Sequence, residues 1–106
     1  MTVPIQDNPS GIVGEVILRP VLPVEWAGAP GHRPYEAVIT IMDAAGRIVA
    51  EVRSGADGRF AATLDPGTYC LRPESAALYP HAPPQTVVVE RCRRTPVNIV
   101  YDSGIR

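Results

Sequence analysis

Two histidines, two cysteines and a few aromatic side chains are the residues of this chain best equipped for chemistry. His32 and His81 each sit in a proline-rich stretch, and both could lie at the same end of the fold and form a site with Glu25 or Glu36. Catalysis needs more than that: a nucleophile with its base, a carboxylate pair, or a metal cluster with supporting groups. No spacing in the chain supplies such a set. We therefore read both histidines as solvent-facing loop residues and expect no catalytic residue, no metal and no cofactor. Cys70 and Cys92 can form at most one bridge, and their spacing fits neither a zinc site nor a redox CxxC pair. Free thiols are the expectation, with a bridge as the alternative. Arg91, Arg93 and Arg94 surround Cys92, so an exposed thiol there would have a lowered pKa. A solvated turn that blunts edge pairing is the simpler reading of the same cluster. Trp26, Tyr35 and Tyr79, with the two histidines, are the candidate binding residues, an aromatic surface suited to a sugar or a proline-rich partner. The competing view of Trp26 is that it pins its loop over one end of the fold.

Short runs in which apolar and polar residues alternate must position these groups. No segment keeps a 3.6-residue period for three turns, so helices are not expected. Seven strands are predicted: 11–19, 35–43, 47–53, 59–64, 68–72, 86–90 and 96–102. Ile12, Val16 and Leu18 face inward on the first, and Ala37, Ile39 and Ile41 on the second. Ile48, Ala50 and Val52 alternate with charged residues on the third. Phe60 and Leu64, Tyr69 and Leu71, Val87 and Val89, and then Val97, Ile99 and Tyr101 complete the core. Asp43-Ala44-Ala45-Gly46 is a tight turn, with or without a bulge, and Asp65-Pro66-Gly67 suits a type II turn. Turn signals every 8 to 12 residues or so are the mark of a Greek-key β-sandwich.

Two loops break this rhythm, 20–34 with Trp26 and His32, and 73–84 with Tyr79 and His81. Structureless loops of this length are uncommon and usually functional, and their prolines make them stiff. The chain of 106 residues suffices for one core. We divide it into an arm (1–10), the sandwich (11–102) and a short tail (103–106). A net charge of −1 argues against nucleic-acid binding. No run nears the roughly 20 apolar residues of a membrane span. All ten basic residues are arginine.

The run Asp57-Gly58-Arg59-Phe60, followed by Leu64-Asp65-Pro66-Gly67-Thr68-Tyr69, resembles the DG-x-F … L-x-PG-x-Y signature of the carboxypeptidase regulatory-like domain family. That resemblance implies a prealbumin-like (transthyretin-like) antiparallel sandwich. It marks Asp57, Gly58, Phe60, Pro66, Gly67 and Tyr69 as fold residues and is almost silent on function. Gly11-Ile12-x-Gly14-x-Val16, Arg33-Pro34-Tyr35 and the ending Asp102-Ser103-Gly104-Ile105-Arg106 are similar to a group of uncharacterised bacterial proteins, many exported or lipid-anchored. Those relatives often carry a cysteine pair where Leu22 and Gly31 stand here. The one enzyme of the prealbumin-like group, hydroxyisourate hydrolase, has an early histidine and a Y-R-G-S ending, and this chain has neither.

The expected function is a non-catalytic module that binds a protein or a carbohydrate through its end loops. The alternative is a self-associating structural subunit that uses sheet edges and terminal arms, a homo-oligomer; a small hydrolase is the outsider. The sequence carries no signal peptide as written, which reads as cytoplasmic, whereas the resemblance implies an exported or cell-surface protein.

Overall fold

A computed structural model describes residues 10–20 and 31–104, and these build an all-β sandwich of two four-stranded sheets. The strands are β1 (Gly11–Arg19), β2 (Arg33–Pro34), β3 (Val38–Asp43), β4 (Ile48–Arg53), β5 (Arg59–Thr63), β6 (Gly67–Pro73), β7 (Gln85–Val89) and β8 (Arg94–Asp102). No helix among the described residues is long and apolar enough to cross a membrane.

The first sheet is centred on β1, which β8 accompanies along its whole length in parallel, Gly11 beside Arg94 through Arg19 beside Asp102. The opposite edge of β1 is shared end to end: β5 pairs antiparallel with its first half and β2 with its second. The second sheet runs β4-β3-β6-β7, every pair antiparallel. The Greek-key sandwich expected from the alternation is therefore present, with eight strands rather than seven and one parallel pair.

The eighth strand, β2, falls in the stretch expected to end the first long loop, and the predicted second strand (35–43) begins later, at Val38. Residues 33–35 belong to the first sheet, where the Tyr35 N–H donates to Val16 O at 3.0 Å, and the chain crosses to the second sheet before Val38. The crossing is fixed by Ser54, 1% exposed. Its hydroxyl accepts from the Ala37 N–H at 2.8 Å and donates to Tyr35 O at 2.8 Å, so a buried polar group is fully partnered.

Inward faces follow the period of two. Ile12, Val16, Ile39, Ile41, Leu71, Val89, Val97, Ile99 and Tyr101 are buried in one core with Phe60, Leu64 and Tyr69. One position departs from the expectation: Ile48 is 63% exposed. Ile41 pairs with Ala50 but Met42 pairs with Ile48, so a bulge places an extra residue in β4 and rotates Ile48 out of the core phase.

Gly58, Asp57 and Tyr69 each shape a turn of the sandwich. Gly58 has φ +78°, and a Cβ there would sit 2.4 Å from Val16 O, at the junction where β5 gives way to β2. Asp57 Oδ1 caps the same turn by accepting from the Arg59 N–H at 2.9 Å. The Tyr69 hydroxyl donates to Asp65 O at 2.6 Å, a tyrosine corner that fixes Pro66-Gly67 against the start of β6.

Candidate functional site

The loop after β6 is closed on itself and folded back on the sandwich. The Glu74 N–H donates to Val38 O at 2.9 Å, which extends the β6–β3 ladder by one step. The Ser75 hydroxyl donates to Pro80 O at 2.7 Å and closes the loop on itself. His81 then forms a two-bond bridge with Asp102, and Ala82 is buried in the core. At the tip, Leu78 stands 79% exposed.

The chain end is part of this arrangement. Ser103 donates its N–H to Arg19 O at 3.1 Å and its hydroxyl to Pro20 O at 2.6 Å. Gly104 follows at φ +85°, against the face of Tyr79.

Between the loop and the crossing segment lies a half-open groove of about 350 Å³. Tyr35, Glu36 and Val38 form one wall, Glu74 to Ala77 with Tyr79 and Pro80 the other, and Arg53 closes one side. The Tyr35 ring is backed by Tyr101, with centroids 4.9 Å apart and planes inclined at 50°. Tyr101 is itself held by donating its hydroxyl to Glu74 O at 2.8 Å, so the same residue orders both walls. Burial, with Tyr35 and Glu74 close by, pushes the Tyr101 phenol up to about 12. The Glu74 carboxylate accepts from the Thr40 hydroxyl at 2.5 Å and the Arg72 Nε–H at 2.9 Å, and these bonds hold its pKa below the ordinary carboxylate value. The groove is thus lined by two tyrosines, by Glu36 and by Arg53, with the Glu74 carboxylate tied to Thr40 and Arg72. Such a lining suits stacking and hydrogen bonding. Among the described residues, the Ser75 hydroxyl donates to Pro80 O and not to a base.

The candidate residues are dispersed. Tyr35 and Tyr79 meet in the groove. His81 lines a shallower depression with Arg19, Pro20, Pro83, Val100 and Asp102. His32 precedes β2 and lines neither. The two histidines flank opposite margins of the β1–β8 pair, with two strands between them. Trp26, Glu25, Leu22 and the arm to Pro9 lie outside the described residues, as do Ile105 and Arg106. Cys70 is half-buried in β6, Cys92 is exposed in the β7–β8 turn at φ +60°, and both are free thiols. Among the described residues no three His, Cys, Asp or Glu side chains are grouped as metal ligands. Arg53 and Glu74 are groove residues that the sequence did not single out. Only the length of the second loop pointed toward Glu74.

The strand order, with its parallel β1–β8 pair, defines a prealbumin-like β-sandwich. Among solved structures the fold is similar to GBS52, the minor pilin of the Gram-positive pathogen Streptococcus agalactiae, with a TM-score of 0.58 and 16% identity. The match covers 89% of this chain and 46% of the pilin, so the chain spans just under half of that protein. No known family pattern matches the sequence. No curated protein matches it either.

Proposed function

We propose that this chain is a non-catalytic binding module whose groove, between Tyr35–Val38 and Glu74–Pro80, receives a protein or carbohydrate partner. The observation that carries this is the convergence of Tyr35, Tyr79, Arg53 and Glu74 on one preformed concavity. Proline and the Tyr101–Glu74 bond pre-order both walls, which lowers the entropic cost of binding. The carboxypeptidase regulatory-like resemblance supports an accessory rather than a chemical role. The likeness to a pilin fold favours the exported or cell-surface location over the cytoplasmic one.

Glycan and peptide arrays probed with the wild-type chain and with Tyr79→Ala test the proposal. Binding to a defined ligand that falls about tenfold in the variant supports it, since that corresponds to a lost contact of about 1.4 kcal/mol. Ligands of neither class, or ligands indifferent to Tyr79→Ala, would count against it.

A second reading, self-association through a sheet edge, is favoured by one observation. β4 ends its sheet without a ladder partner among the described residues.

A further inference from the structure

The margins of the two sheets are not equally open. β7 and β8 lie side by side at the edges of different sheets and are stitched by side chains. Gln85 Nε2 donates to Asn98 O at 2.8 Å, and the Thr95 hydroxyl donates to Val88 O at 2.8 Å. Pro96 further removes a donor from β8. On the other margin of the first sheet, β5 and β2 are only five and two residues long. β4 is different: six residues, IVAEVR, with no proline or glycine and no side chain closing its outer edge among the described residues.

The hydrogen-bond phase of β4 follows from its neighbours. The Ser54 N–H donates to Ala37 O at 2.9 Å, so position 54 faces β3. Val38 O is taken by the Glu74 N–H, so position 38 faces β6 and its partner Arg53 faces outward. Antiparallel pairing alternates strictly. Val52 and Ala50 therefore bond to β3, and the main-chain N–H and C=O groups of Arg53 and Glu51 are left at the free edge. Both residues are exposed, and among the described residues neither is in an ion pair.

We propose that this edge is where two copies of the chain associate, β4 against β4, antiparallel about a two-fold axis at Val52. The inference rests on the self-association reading and gives it a surface and a register. With Val52 facing the partner's Val52, Glu51 stands opposite the partner's Arg53, and Arg53 opposite the partner's Glu51. The outward N–H and C=O groups meet as hydrogen-bonded pairs while both charge pairs are satisfied. A slip that keeps those groups in phase moves two residues along the pair. One direction sets Glu51 against the partner's Glu51, and the other sets Arg53 against the partner's Arg53, and like charges directly opposite are destabilising. Registers nearer the turn must pass through the bulge at Ile48 and Val49. The dimer would join two four-stranded sheets into one continuous sheet.

Sedimentation equilibrium across the micromolar range, on wild type, Glu51→Arg, Arg53→Glu and an equimolar mixture of the two variants, tests this. Both positions are exposed, so circular dichroism should show an unchanged fold. Wild type is expected to dimerise, and each single variant to self-associate about tenfold more weakly because both cross-strand pairs become like-charged. The mixture should recover the dimer, since each variant then meets the opposite charge. A monomeric wild type would remove both this proposal and the self-association reading, and leave the groove untouched. A wild-type dimer insensitive to both variants, or variants that the mixture does not rescue, would place association away from β4 or outside this register.

Discussion

Gly104 lies so close to Tyr79 that a Cβ on the glycine would stand 2.6 Å from the ring Cγ. The glycine also holds φ +85°, where side chains are disfavoured. The chain end therefore backs one wall of the groove from behind. Gly104→Ala is expected to displace Tyr79 and to cost about 1–3 kcal/mol, from the combined clash and backbone strain. A lowered urea midpoint, together with a shifted Tyr79 ring resonance, checks it. A variant with an unmoved ring would contradict the contact.

Tyr101 backs the other wall, and its ionisation links pH to stability. An unfolded tyrosine loses its proton near pH 10, whereas Tyr101 in the fold holds its proton to about 12. Between those values the unfolded state sheds protons first, so stability is intact below pH 10 and falls as pH rises toward 12. The loss expected by pH 12 is on the order of 2 kcal/mol. Tyr101→Phe should flatten this alkaline limb in urea titrations. At neutral pH the same variant should cost about 1 kcal/mol for the lost bond to Glu74 O.

Glu74 acts at the other end of the scale. Its carboxyl is held below the ordinary value by Thr40 and Arg72, so its contribution is present above the unfolded pKa of about 4.5 and is lost as pH falls through the lower folded value. The carboxylate is 40% exposed, which keeps the effect small. Glu74→Gln should make the acid limb shallower, and acid titrations of the two proteins compare the slopes.

Ser54→Ala removes the partner of the buried Ala37 N–H among the described residues. The expected cost is about 1–3 kcal/mol. Because Ser54 also holds Tyr35 O, exchange of the 35–37 amides should accelerate more than that of β1. Uniform acceleration would mean that Ser54 contributes to stability without shaping the groove.

The sandwich was legible because buried strands must alternate, and the inward residues from Ile12 to Tyr101 do so almost throughout. Asp57-Gly58 was legible because a positive φ leaves few alternatives, whereas Gly67 stands at φ +158° as the first residue of β6 and not in the type II turn expected there. Ile48 was misassigned because a bulge changes phase without leaving a sequence signal. The later start of the second strand was hidden for a related reason: Tyr35 and Ala37 keep the alternation, and only the Ser54 hydrogen bonds show the crossing between sheets. Tyr35 and Tyr79 were placed with Trp26 on one aromatic surface, but the groove that both line was not legible, since its other wall depends on the return of a loop about 40 residues downstream. Arg53 was read as an outward strand residue, which it is. Its place beside the groove comes from β4 being an edge.

The most direct test of the groove is amide chemical-shift mapping of the ¹⁵N-labelled chain titrated with the strongest ligand from the glycan and peptide arrays. Shifts concentrated at residues 35–38, at Arg53 and at 74–80, and lost in Tyr79→Ala, are the expected result. Shifts centred instead on Arg19, His81 and Val100, with the Tyr79 region unmoved, would contradict the proposal.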